Sequence, residues 1–132
     1  MSTNGEPLVT VVAAVIRREN RYLVGRRPLQ KRHGGLWEFP GGKVHEGEEP
    51  FAAARRELDE ELALEATGAG ATLHRVRDGD SPFVIHFVEV ETRGEPTPLE
   101  HDAVGWFTAS ELARLPLAPA DASFVRTLRA AG

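Results

Sequence analysis

A chain of 132 residues with a formal net charge of −4 is long enough for one domain, spanning residues 1–132, with a modest core. It is too acidic for a broad duplex-binding surface, which rests on basic side chains. The absence of cysteine excludes a disulfide framework, a thiol nucleophile and a thiolate metal site. No apolar run reaches membrane-spanning length, and MSTNGEP lacks the basic and apolar regions of a secretory signal. The expectation is therefore a cytoplasmic protein, monomer or homodimer, that works on small molecules and not on nucleic-acid polymers or lipid.

Leu8 to Ile16, LVTVVAAVI, is a β-branched apolar run of strand length. Arg17-Arg18-Glu19-Asn20 predicts a polar turn and Arg21 to Arg26 an antiparallel return strand. The pair suggests a hairpin with at least one strand buried on both faces. Pro28 to Gly35, PLQKRHGG, is a basic loop that fits a mobile lid or plain solvated chain equally well. Alternating large apolar residues in Leu36-Trp37-Glu38-Phe39 then predict a short strand, with Trp37 as core or pocket wall. Pro40-Gly41-Gly42 turns the chain sharply and lets backbone come close to a ligand.

The stretch Gly42 to Leu64 carries the chemistry. A helix is predicted from Pro50 to Leu62, opened by a proline whose missing N–H would be free in any case. Glu48 and Glu49 lie at the positive end of its dipole. Phe51, Ala54, Leu58 and Leu62 form one apolar stripe. Glu57, Glu60 and Glu61 share a neighbouring stripe, where like charges repel by a few tenths of a kcal/mol per pair in water and by more where water is excluded. Arg55 and Arg56 offset part of this, with Arg56 in reach of Glu60. A solvated, salt-bridged face is one account of such a helix. A tight carboxylate cluster beside a Gly-Gly turn is also what a hard divalent cation requires: oxygen ligands, negative charge and room for waters and phosphates.

Beyond the helix, Glu65 to Ala71 is small and Gly-rich and predicts a connecting loop. Thr72 to Arg77 and Phe83 to Thr92 predict a hairpin around Asp78-Gly79-Asp80-Ser81-Pro82. His86 within it is a candidate ligand or base, or simply a satisfied histidine on a sheet. Arg93 to Pro98 is a loop, and Glu100-His101-Asp102 precedes a strand from Ala103 to Phe107. Thr108 and Glu111 make a capping box for a short helix that ends at Pro116. Asp121 is the expected N-cap of a last helix from Ala122 to about Ala130. Strands, helix, strands, helix predict an α/β fold with a mixed sheet between helices.

Gly42, five residues, Glu48, seven residues, then Arg56-Glu57-Leu58-Asp59-Glu60-Glu61-Leu62-Ala63-Leu64 resembles the Nudix box. One position departs: Ala63 stands where the motif has Gly, at the expected helix end, where Gly would ease a left-handed turn. The resemblance covers almost the whole chain. It is closest to the MutT-like and bacterial CTP pyrophosphohydrolase branches, the latter through LWEFPGGKV and LPLAPAD. It implies a Nudix α/β/α sandwich and a Mg²⁺-dependent enzyme, with Mn²⁺ as a possible substitute, that cleaves a nucleoside triphosphate to a monophosphate and pyrophosphate. It implies Glu57, Glu60 and Glu61 as metal ligands with the Gly41 carbonyl, and Glu48 and Arg56 as orienting groups. Arg27 and Phe39 match positions near the nucleotide, Lys43 a phosphate contact, and Glu100 a loop acid that serves as a metal ligand or base. Which carboxylate acts as general base stays open. In the MutT-like branch an Asn at the position of Asp121 helps to read 8-oxoguanine. Ionised, Asp121 only accepts and suits guanine N1–H and 2-amino groups; protonated, it suits cytosine; as a plain helix cap it reads neither. The expected substrates are oxidised or modified nucleotides, 8-oxo-dGTP or cytosine nucleotides. The alternatives are other nucleoside diphosphate derivatives, such as ADP-sugars and dinucleoside polyphosphates, or RNA ends, and an inactive nucleotide-binding regulator.

Overall fold

The structure is a computed structural model that describes residues 7–131, with side chains through Leu128. MSTNGE, on which the expectation about a secretory signal rests, lies outside the described residues.

The apolar run after Leu8 forms β1 (Val9–Val15), and its alternation fixes both layers around it. Val12, Ala14 and Ile16 pack towards α1 (Pro50–Leu62), against Ala53, Ala54, Leu58 and Leu62. Ala13 and Val15 pack on the opposite face, with Phe124 and Val125 of α3 (Pro119–Ala131). Leu58 and Leu62 are fully buried, each contributing about 2 kcal/mol from lost apolar surface. A strand buried on both faces between two helices is the expected α/β/α sandwich.

In its sheet, β1 runs parallel to β7 (Phe83–Arg93) and antiparallel to β5 (Gly41–Lys43), and β6 (Glu65–Arg77) completes the order β5-β1-β7-β6. A second sheet gathers β2 (Arg17–Arg18), β4 (Trp37–Glu38) and β8 (Ala103–Phe107) around β3 (Arg21–Arg26). The capping box is present: Thr108 accepts from the Glu111 N–H and Glu111 from the Thr108 N–H, opening α2 (Ala109–Leu112).

Three expectations are corrected. β1 does not pair with β3. The hairpin is the shorter β2–β3 unit, closed by Glu19 and Asn20, both at positive φ (49° and 71°), which suits a two-residue turn. Arg17 and Arg18 are thus strand and not turn. Glu65 to Ala71 is strand and not loop: its small residues follow β7 through three register shifts, so pairing overrides weak propensity. Finally, α3 opens at Pro119, which leaves Asp121 inside the first turn and not before it.

The Nudix-box departure has a visible cost. Ala63 caps α1 in the left-handed region at φ 51° and ψ 41°, with its N–H on the Asp59 carbonyl. A Cβ in that conformation is strained. Ala63→Gly is expected to raise unfolding free energy by about 0.5–1 kcal/mol, after the extra freedom of Gly in the unfolded chain is subtracted. Chemical denaturation of both proteins measures it.

Candidate active site

Arg56 is the hub of the segment between β5 and α1. Its Nε and Nη2 donate to the two Glu48 oxygens at 3.0 Å each, its Nη1 to Glu57 Oε2 at 2.8 Å, and Nη2 also to the Lys43 carbonyl at 2.9 Å. A planar guanidinium with five donors suits this forked contact. The Arg56 pair, with the His45 N–H, holds the half-buried Glu48 carboxyl down at about 2. Glu60 is a weaker partner, 3.7 Å from Arg56 Nη1 with about half its side chain exposed.

Glycine lets this hub approach the turn. A Cβ on Gly42 would overlap the Glu57 carboxyl, and one on Gly41 would overlap the Val12 carbonyl. Glu57 is therefore pressed against the β5 backbone, with the Gly41 carbonyl on the strand beside it.

Glu61 lies one turn further along α1, buried at 6% exposure. Burial first, then its hydrogen bond with Glu57 and the charges of Glu57, Glu38 and Glu100, push its carboxyl well above the usual carboxylate range. The structure thus brings Glu57 and Glu61 together and sets Glu38 and Glu100 within electrostatic reach. Glu60 points outward, and among the described residues no three acidic or histidine side chains converge as a closed cage. A buried Glu61 carboxyl against a half-buried Glu57 beside a tight glycine turn is a donor set that fits a hard divalent cation, with Glu60 on the adjacent helix surface.

Two cavities meet at Glu38. The smaller, about 60 Å³, is lined by Arg27, Lys31, Glu38, Glu61, Glu100 and His101. The other, about 150 Å³, lies between Arg27, Glu38, Asp78, Phe83 and Asp121. Arg27 donates to both Glu38 oxygens at 3.2 and 3.1 Å, and His101 Nε2 lies 3.0 Å from Glu38 Oε2. Lys43 sits with its ammonium 5.1 Å from the Phe83 ring centre, at the edge of the larger cavity. The Pro28–Gly35 loop is pinned across that cavity, Arg32 and His33 reaching Asp78 at 3.1 and 3.7 Å. At 150 Å³ the cavity is below the usual size of a ligand cleft, so these surface pairs must part for a nucleotide to enter.

Asp121 is 6% exposed, and its Oδ2 accepts from the Phe39 N–H at 2.8 Å. Burial pushes its carboxyl up to about 8; the Phe39 bond opposes the shift and the Glu38 charge adds to it. Phe39 therefore faces Asp121 through its backbone. Its ring is 3% exposed, packed edge-on to Phe87 and Phe124, and is core rather than a surface for a base to stack on. His86 pairs across the sheet with Val12 and Arg75, away from both cavities. Sequence reasoning passed over Glu38, Asp78 and His101. The available signal for Glu38 was a lone charge between Trp37 and Phe39 in an apolar strand.

An acidic helix laid on a mixed sheet, with a buried Glu61, a half-buried Glu57 beside a glycine turn and Arg56 ordering the latter, is an arrangement suited to holding a divalent cation. Comparison with known proteins agrees. The NUDIX domain model matches residues 7–128. The Escherichia coli (strain K12) CTP pyrophosphohydrolase is 40% identical over 116 residues, 86% of each chain. The Haemophilus influenzae 8-oxo-dGTP diphosphatase is 34% identical over 128 residues, 92% of this chain and 91% of that one. The solution structure of the E. coli ORF135 protein superposes with a TM-score of 0.80 at 37% identity, over 94% of this chain and 90% of that one. This chain belongs to the Nudix family. Nudix hydrolases generally use a divalent metal ion, and no described helix is long and apolar enough to cross a membrane.

Proposed function

We propose that this protein is a Mg²⁺-dependent nucleoside triphosphate pyrophosphohydrolase that clears modified or surplus nucleotides, with cytosine nucleotides as its favoured class. The observation that carries the reaction type is the buried Glu61 carboxyl against the half-buried Glu57 that Arg56 orders, one cavity away from the space closed over by the latched Pro28–Gly35 loop. The names of the relatives, CTP pyrophosphohydrolase and 8-oxo-dGTP diphosphatase, support triphosphate cleavage.

Glu57, Glu60, Glu61 and the Gly41 carbonyl would hold the cation. When bound, it neutralises phosphate oxygens and acidifies a water. The chain supplies the rest. Arg56 keeps Glu57 in place, so the carboxylate does not have to be ordered during the reaction. Lys43 is free to leave the Phe83 face for a phosphate. Water attacks phosphorus, its oxygen forms the new P–O bond, and the bridging P–O bond breaks to release pyrophosphate. Glu100 lines the same cavity as Glu61 and is available to take the proton of that water; Glu61 would become available only once the proton it holds has been displaced by a bound cation.

Asp121 favours cytosine. A carboxyl near 8 is protonated at neutral pH and presents one donor and one acceptor. That pair matches N3 and the 4-amino group of cytosine. An ionised Asp121 would match N1–H and the 2-amino group of guanine. A panel of CTP, dCTP, 5-methyl-dCTP, dGTP and 8-oxo-dGTP, with ADP-ribose and a dinucleoside polyphosphate as outsiders, tests this by pyrophosphate release at fixed Mg²⁺. Cytosine nucleotides are expected to lead in kcat/KM by about tenfold or more, the worth of one well-placed buried hydrogen bond. A lead for 8-oxo-dGTP would assign the purine reading, and no pyrophosphate from any triphosphate would end the proposal.

A further inference from the structure

Glu38 is held by more than Arg27. In the β3–β4 register it stands opposite Gly25, and the His101 ring fills the space that a side chain at residue 25 would take. A Cβ on Gly25 would lie 2.6 Å from His101 Cγ, so glycine is required for the ring to reach across to Glu38. The loop carrying His101 is fastened at both ends. Leu99 N–H donates to the Glu61 carbonyl at 2.9 Å, and Asp102 N–H to the Arg26 carbonyl at 3.0 Å. The His101 side chain is 4% exposed, so its orientation is set by packing and by the one bond its Nε2 makes.

We propose that His101 is a positioning residue for the hydrolysis. Its Nε2–H and the Arg27 guanidinium clamp the Glu38 carboxylate on the wall shared by the two cavities, and this fixes how a bound base lies relative to the α1 carboxylates. The inference rests on the nucleotide hydrolase reading above. The tautomer follows from the surroundings. Nδ1 is buried and has no hydrogen-bond partner. The neutral Nδ1–H tautomer would bury a donor without an acceptor, costing about 1–3 kcal/mol, and would also turn the Nε2 lone pair on the Glu38 carboxylate 3.0 Å away. The ring therefore carries a proton on Nε2, aimed at Glu38. With two donor nitrogens, Arg27 Nη1 and His101 Nε2, making three contacts to its two oxygens, Glu38 is held on the wall between the cavities. Its charge is also felt by Glu61 on one side and Asp121 on the other, as expected of a group on the dividing wall.

Two variants separate the clamp from simple packing. His101→Phe keeps a ring over Gly25 and removes the donor; His101→Gln keeps an N–H near the Nε2 position. His101→Phe is expected to raise KM for the preferred nucleotide by about tenfold and to narrow its lead over other bases, with kcat changing by less than about threefold. His101→Gln is expected to restore most of that loss. Wild-type kinetics in folded His101→Phe would overturn the proposal, as would equal losses in both variants at equal melting temperature. Imidazole ¹⁵N NMR of the wild type gives a readout free of catalysis. A protonated Nε2 whose signal is perturbed in Glu38→Gln supports the clamp; an Nε2 without a proton at neutral pH overturns it. If the wild type cleaves no triphosphate, the hydrolase reading fails while the NMR result still decides the clamp.

Discussion

Glu61→Gln is expected to lower kcat by on the order of 10³-fold while leaving the metal-free protein as stable as the wild type or more so. A thousandfold loss corresponds to about 4 kcal/mol of transition-state stabilisation, the scale on which preorganised charge acts in a water-poor site. The stability effect has the opposite sign because Glu61 is buried at 6% exposure among other acids, which pushes its carboxyl well above the ordinary 4.5. The folded state holds the proton where the unfolded chain has lost it. The contribution is therefore full below the ordinary value and declines as pH rises towards the folded value. Gln removes that decline. Glu57→Gln should match the loss of turnover but lower the melting temperature, since the 2.8 Å bond from Arg56 loses its charge on the acceptor side. Melting in EDTA and in Mg²⁺, beside steady-state turnover, separates the two. Mg²⁺ should raise the wild-type melting temperature by mass action and raise that of Glu61→Gln much less. Near-wild-type turnover in either variant would remove that glutamate from the metal set.

The contrast between Glu57 and Glu61 marks where the sequence runs out. Helix α1 is legible to its ends, because proline, the apolar stripe and the acid stripe agree on one period. The same period puts Glu57, Glu60 and Glu61 on one side, but it does not say which of them is buried. That depends on Gly42 yielding room for Glu57 and on the Leu99–Glu61 backbone bond drawing the loop of Glu100 over the helix. Strand β6 is illegible from Glu65 to Ala71, since Gly and Ala carry no strand preference and only β7 recruits them. The apolar run of β1 marks a strand buried on both faces, but its neighbours, β5 and β7, both lie beyond the next strand in sequence, and nothing in the run itself names them. His101 and Glu38 are 63 residues apart and meet only because Gly25 leaves a gap between them. Neither residue carries a motif. What joins them is a space, and a space has no letter in the sequence.

Asp121→Asn is expected to remove most of the pH dependence that Asp121 brings to both stability and base choice. The wild-type carboxyl is raised from an ordinary 3.8 to about 8, chiefly by burial. Between those values the folded chain keeps a proton that the unfolded chain releases, so stability falls steadily with rising pH across that window and levels off above it. Asn carries no charge to bury, and its carbonyl can still accept the Phe39 N–H now bonded to Asp121 Oδ2 at 2.8 Å. At pH 8 the variant should therefore be more stable than the wild type, on the order of a few kcal/mol, with the gap closing towards pH 4. Asp121→Ala separates charge from hydrogen bonding, since it leaves the Phe39 N–H without an acceptor in the core, at a cost of about 1–3 kcal/mol that does not vary with pH. Base choice should follow the same titration. The neutral carboxyl pairs with cytosine and the ionised one does not, so the wild-type lead for cytosine nucleotides should fade as pH rises through about 8. Asn offers a donor and an acceptor at every pH and should hold the lead flat. Urea denaturation and kcat/KM ratios for CTP against dGTP, both from pH 5 to pH 9, measure the two effects on the same proteins. A wild-type ratio that rises with pH would contradict the pairing of cytosine with the protonated carboxyl, and a ratio indifferent to pH in both proteins would remove Asp121 from base recognition and leave it a buried tie between α3 and the Phe39 backbone.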